Sequence, residues 1–381
     1  RYERRELDEI RPFSWRAPPF PGESFAGYAV RIFDGNGYDS CAEALRLCGV
    51  ENFSPALAAM HGTVNAIRFA AAFGIEEDVV RPMLTGTVGD PGRTLRVHFF
   101  GRAVRALYLE TSVRRVSPMS LRIAPHHRAL WLLRPLPICV ETFEPLIGAC
   151  PHCDATLGWR HAKGVAFCEA CGGDLRDGGE GPVDCDQEAI RFAAGLLDPC
   201  REPEGLATLH DDLRGLGPSD LFEFLIALVC AQLPFQDGQI APFRRISTVA
   251  DFSESTVARL TKAARALMDW PRAMHDFADE LRDTASRRPG HYGVKKELGP
   301  LVIMQSTDPH LSREVKRVLS EFIAADMRRS EYALAVRRSQ NRENDDLVTL
   351  EQAQIEFSID ARTLKEVERR GGLTILKNPD V

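Results

Sequence analysis

Apolar positions along this chain recur at helical spacing in short runs closed by glycine or proline. In "ESFAGYAVRIFDGNG" the residues Phe25, Tyr28, Ala29 and Ile32 share one helical face, Glu23 and Ser24 stand at the start, and Gly35-Asn36-Gly37 ends the run. "AIRFAAAFGIEEDVVRPML" reads as a helix, a turn at Gly74 and a second helix beginning at Glu76, which is helix-turn-helix spacing. "ISTVADFSESTVARLTKAARAL" repeats the arrangement, with a turn at Phe252-Ser253 and a second helix near Ser255 that puts Val257, Leu260 and Ala264 inward. The pattern is clearest in "LVTLEQAQIEFSIDARTLKEVERRGGL". There Thr349 caps one helix, Ser358 and Asp360 punctuate the turn, and Arg362 to Arg370 form a second helix stopped by Gly371-Gly372.

These runs, together with the two Cys-x-x-Cys pairs of residues 150–171, predict a mainly α protein with helix-turn-helix-like helical domains around a small zinc-ribbon domain. The expected boundaries are 1–115 for an N-terminal helical domain, 116–180 for the ribbon and 181–381 for a C-terminal helical domain with two helix-turn-helix-like units, the Gly-rich "DGGEGP" serving as linker. At 381 residues, 44% hydrophobic and 27% charged, the chain is long enough for two or three globular domains. The opening "RYERRELDEIRPFSW" has no apolar run of signal-peptide length. The apolar stretch "LFEFLIALVCAQL" is broken by Glu223 and too short to span a bilayer, so a cytoplasmic protein without membrane attachment is expected.

The net charge of −6 is unevenly spread. Between Arg93 and Arg134 nine arginines face one acid, Glu110, with His98, His126 and His127 besides. Asp174 to Glu223 holds thirteen acidic and four basic residues, and Arg282 to Arg342 thirteen basic and seven acidic. Two clusters are candidates for nucleic-acid or partner contacts: Arg93, Arg96, Arg102, Arg105, Arg114 and Arg115, and then Arg362, Lys365, Arg369 and Arg370 on the last predicted helix. The pair His126-His127 beside Arg128 reads as part of the basic face. A nuclease built on it is disfavoured, because no acidic ligands lie nearby in sequence.

The segment "CPHCDATLGWRHAKGVAFCEACGG" carries the most specific chemistry. Cys150 and Cys153, then Cys168 and Cys171, form two Cys-x-x-Cys pairs with fourteen residues between them, a spacing at which four thiolates converge on one tetrahedral ion. One structural zinc per chain is expected, since four sulfur ligands leave no open position for catalytic water. Four buried thiols or two disulfides is the competing reading. There is no phosphate loop of Walker type, no local Ser-His-Asp or Cys-His signature and no paired acids in a glycine-rich context, which points away from an enzyme.

With those residues in place, the chain resembles the TniQ family, the target-selection proteins of multi-component transposons that include TnsD-type proteins. The likeness runs through "PPFPGESFAGYAVRIFDGNGY", "FAAAFGIEEDVVRPMLTG", the cysteine segment and "DWPRAMHDFADELRD". The family usually carries two zinc sites. Where the first would stand, this chain has Ser117 and Ser120 in "SPMSL" and the pair Cys139 and Thr142, so that site should be metal-free, its lobe held instead by burial of Trp131, Leu133, Leu136 and Ile138. The resemblance implies a transposition adaptor that links a target-recognition event to an AAA+ ATPase of the TnsC or TniC type. Members of this length are similar to those of CRISPR-associated transposons, which form homodimers and dock on an RNA-guided Cascade complex through Cas6 and Cas7. Longer relatives read target DNA directly. The alternative from another class is a zinc-containing helix-turn-helix transcription regulator, which would bind one duplex sequence alone with a steep salt slope.

Overall fold

The structure is a computed structural model that describes residues 10–52, 54–60, 66–88, 95–200, 206–234, 243–249, 252–253, 256–283 and 298–327. The chain divides into two units, one taking in 1–207 and 246–264, the other 208–245 and 265–381. The predicted N-terminal and ribbon segments both fall in the first unit. Among the described residues helices predominate over one three-stranded sheet, and no helix is long and apolar enough to cross a membrane.

The first unit begins with α1 (Phe25–Gly35), α2 (Cys41–Leu47), α3 (Pro55–Met60), α4 (Ala66–Phe73) and α5 (Glu77–Val80). Helix α1 forms where the sequence predicts it: extended Ser24 caps it, its hydroxyl accepting from the Gly27 N–H at 3.0 Å, worth ~1 kcal/mol. The stripe Phe25, Tyr28, Ala29 and Ile32 is buried. Phe25 meets Phe69 of α4 at 4.5 Å between ring centres and Tyr28 meets Phe73 at 5.1 Å, so aromatic edges and faces interlock at this crossing.

Two helix-turn-helix expectations change in the structure. Helix α5 has only four residues, about 6 Å of rise, because Pro82 follows within a 3-10 turn, and so short a helix offers no recognition surface. Residues 243–249 contain no helix, leaving only α10 (Val257–Met268) of the second predicted unit, with Leu260 and Ala264 buried as expected and Val257 partly so. The third unit, at 349–370, lies outside the described residues.

Within the stretch read from sequence as helical, residues 87–88 and 96–105 form an antiparallel meander of β1 (Thr87–Val88), β2 (Arg96–Phe99) and β3 (Arg102–Arg105). Val97 pairs with Val104 and Phe99 with Arg102, while Phe100 and Gly101, at φ 49° and 81°, make a two-residue turn with both positions left-handed. Then come α6 (Pro118–Ile123), the irregular cysteine segment and α7 (Gln187–Gly195). A single apolar core runs from Phe13, Phe33 and Phe73 through Trp131, Cys139, Cys150, Trp159 and Cys168 to Leu175, so the cysteine lobe is built on the core of the helices.

The second unit holds α8 (Asp211–Arg214), α9 (Pro218–Ala231), α11 (Arg272–Asp283), α12 (Gly299–Thr307) and α13 (Arg313–Met327), the boundary between units falling inside α10. Every residue of α9 from Leu221 to Ala231 is buried, Glu223 included, whose carboxylate pairs with Arg245. The apolar run around Glu223 is therefore consumed by its own unit. Trp270 packs on Phe322 at 5.1 Å and donates from its indole to Asp212 at 3.1 Å.

Candidate metal centre

The four thiols Cys150, Cys153, Cys168 and Cys171 converge, no two sulfurs lying more than 4.8 Å apart. Cys150 Sγ stands 3.8 Å from Cys171 Sγ and Cys153 Sγ 3.7 Å from Cys168 Sγ. A tetrahedron with zinc–sulfur bonds of ~2.3 Å has edges of roughly 3.8 Å, whereas a disulfide needs about 2.05 Å. The donor set fits a tetrathiolate-bound metal ion, and all four cysteines are free.

The two halves share one hydrogen-bond frame. Cys150 N–H donates to Ala155 O at 2.9 Å and Asp154 N–H to Cys150 O at 2.9 Å; likewise Cys168 N–H donates to Gly173 O at 2.9 Å and Gly172 N–H to Cys168 O at 3.0 Å. Each frame needs a left-handed residue just after its second cysteine, supplied by Asp154 at φ 59° and Gly172 at φ 74°. The turned backbone aims the N–H groups of His152, Ala170 and Gly173 at sulfurs, each 3.4 Å away, which favours the thiolate form. Gly173 is excluded from carrying a side chain for another reason: its Cβ would sit 2.6 Å from the His152 ring.

Because nothing lies within 4 Å of a Cβ at Gly172, a substitution there reports backbone strain alone. Gly172→Ala is expected to lower the stability of the metal-loaded chain by ~1 kcal/mol, and Gly172→Asn to recover most of that loss, as Asp154 does naturally. Thermal melts of the three proteins check this; equal losses for Ala and Asn would be the contrary result.

A third loop uses the same frame with one cysteine in place of two. Cys139 N–H donates to Glu144 O at 2.9 Å, Phe143 N–H to Cys139 O at 2.8 Å, and Phe143 takes the left-handed place at φ 55°. Thr142 occupies the position that Cys153 and Cys171 hold in the other two. Ser117, the cap of α6, is 3.1 Å from Thr142 Oγ1 and donates to Glu144 Oε2 at 2.6 Å, while Arg128 reaches both Ser120 Oγ at 2.8 Å and Glu141 at 2.6 Å. Trp131, Leu133, Leu136 and Ile138 are buried here as expected. The lobe is nevertheless joined as much by this polar network as by its core, and Glu144, fully buried at its centre, carried no sequence signal.

The expected basic face is largely turned inward. Arg102 donates to Gly195 O and Leu196 O at the C-terminus of α7, and Arg105 to Ile246 O at 3.2 Å. Arg114 donates to Gly164 O at 3.2 Å and Phe167 O at 2.7 Å, and Arg115 to Leu136 O at 3.2 Å and Trp131 O at 2.6 Å. Arg105 and Arg114 are buried outright. These guanidiniums bind carbonyls of the chain itself, because irregular segments without ladders leave carbonyls that need donors. Arg96 is partly exposed on β2; Arg93, Arg362, Lys365, Arg369 and Arg370 lie outside the described residues.

His126 and His127 are likewise not surface groups. His127 is 0% exposed, its Nε2 3.0 Å from Arg115 O and its Nδ1 2.8 Å from Ser24 Oγ, edge-on to Trp131 and Trp159. The carbonyl requires the proton on Nε2, so Nδ1 accepts from Ser24, which fixes the neutral ring. Burial, then Arg114, push its pKa well below the ordinary value. Burial, then Arg128 and Arg31, push that of His126 down to about 4. In the unfolded chain both titrate near 6.5. Stability is thus full above that pH and falls as pH drops below it, by up to ~1.4 kcal/mol per unit for each ring, the contribution of His126 levelling off near pH 4, where the folded ring itself titrates. The melting temperature with saturating zinc is expected to fall steeply from pH 7 to 5; a His127→Gln variant, weaker at pH 7.5, should give a shallower slope. An unchanged slope would contradict the assignment.

No protein-family model matches this chain, and no curated protein sequence does.

Proposed function

We propose that the chain is a zinc-braced transposition target adaptor, the role implied by its resemblance to the TniQ family, with one structural zinc held by Cys150, Cys153, Cys168 and Cys171. In this reading it joins a target-recognition complex, RNA-guided or DNA-bound, to an AAA+ regulator of the TnsC or TniC type, as a cytoplasmic homodimer without enzymatic activity of its own. The observation that carries the choice over a self-sufficient transcription regulator is the inward use of Arg102, Arg105, Arg114 and Arg115. Terminal nitrogens of all four end on backbone carbonyls, so a phosphate-binding face built from them is not offered to a duplex. A closed four-sulfur ligand set supports a bracing role for the metal, because no position is left for substrate.

Two measurements on the full chain test the reading. Binding to randomised duplexes should be weak and unselective for the isolated protein, and retention on target DNA should rise when the ATPase and recognition complex of the same transposon are supplied. Sharp sequence enrichment by the isolated chain, abolished by Arg369→Ala, would establish the regulator instead.

A further inference from the structure

Arg114 is among the most deeply buried residues of the first unit, at 1% exposure, and it makes no ion pair among the described residues. Its backbone N–H is fixed on Leu157 O at 2.9 Å, its guanidinium lies 6.0 Å from the centre of the Trp159 ring, and its two terminal nitrogens end on Gly164 O and Phe167 O. The third donor, Nε, has no partner. Removing a guanidinium from water costs several kcal/mol unless an anion compensates it. Carbonyl dipoles alone leave its charge unbalanced.

Three acidic groups surround it: Glu169, Cys168 and Cys41. Cys41 supplies no anion, since burial pushes its thiol pKa up to about 12. Glu169 exerts the largest of the three charges, but it is partly exposed, shares its field with solvent and accepts from the His161 N–H at 3.3 Å. The buried negative charge is the sulfur cluster that begins one residue beyond the Phe167 carbonyl that Arg114 holds. Four thiolates around a divalent ion carry a net charge of about −2, partly buried through Cys150 and Cys168. We propose that Arg114 is the buried counter-charge of this tetrathiolate centre and positions the second knuckle against the core, so that metal affinity depends on its cation. The inference rests on the metal assignment proposed above and is independent of the adaptor role.

The test uses the full chain and zinc affinity measured by competition with a chromophoric chelator, with cobalt(II) spectra as a second readout. Arg114→Met, which keeps length and removes charge, is expected to weaken zinc binding 10- to 100-fold, the range seen when groups behind the ligands are lost. Arg114→Lys should retain most of the affinity, and Glu169→Gln should leave it unchanged or tighten it, having removed a like charge. Should Arg114→Met fail to fold, the Lys and Gln variants carry the comparison. Unchanged affinity in Arg114→Met would overturn the proposal, and so would a loss in Arg114→Lys as large as in Arg114→Met, which would make the role one of shape. A comparable loss in Glu169→Gln would reassign Arg114 to Glu169. A wild-type chain that binds no zinc would instead remove the metal assignment itself.

Discussion

Cys168→Ser is expected to abolish stoichiometric metal binding and to lower the melting temperature of the whole first unit, not of an isolated ribbon. A serine hydroxyl stays protonated at neutral pH and is a poor zinc ligand, so three thiolates remain for an ion that favours four. Structural zinc is worth ~10–16 kcal/mol in small zinc peptides, which here would include the organisation of both knuckles. The loss spreads because of what stands behind the site. Cys168 belongs to the continuous core, and the Phe167 carbonyl beside it is held by Arg114 next to Trp159, against which His127 packs while bonding Ser24 at the start of α1. Elemental analysis should read one zinc per wild-type chain and well under one in the variant. A Cys168→Ser protein with full zinc content and an unshifted melt would refute the structural role.

How much of this was legible beforehand depends on how local each signal is. Helix α1 and the cysteine tetrad were readable because a periodic apolar stripe and a Cys-x-x-Cys turn are settled within a few residues. The meander of β1, β2 and β3 leaves no such mark, because its paired runs are four residues or shorter and the β2–β3 turn is Phe100-Gly101, without the Asn-Gly or Asp-Gly that marks such hairpins. Asp154 and Phe143 in left-handed backbone could not be foreseen either, since only the matching frames on Cys150 and Cys139 demand them. The arginines failed most instructively. A run of positive charge says nothing about direction until folding brings up acceptors, and those of Arg114 lie 50 and 53 residues away in the chain.

On an exposed patch, changing Arg102, Arg105, Arg114 and Arg115 to Glu would spare the fold and weaken only polyanion binding. The fourfold variant is instead expected not to fold its first unit. Each substitution deletes donors to carbonyls, orphaning acceptors at Gly195, Ile246, Phe167 and Trp131, and places a carboxylate against the same oxygens. Breaking a buried charged contact costs about 3–5 kcal/mol, so two of these sites together consume what a domain has, typically 5–15 kcal/mol. Arg317→Glu is the control: that side chain is 62% exposed and pairs with Glu321 one turn along α13, so its loss should stay within about 0.5 kcal/mol. Circular dichroism melts of the two variants decide the matter. A fourfold variant that melts like the wild type and loses only nucleic-acid or ribonucleoprotein binding would restore the surface-patch reading and, with it, the case for direct phosphate contact by this stretch.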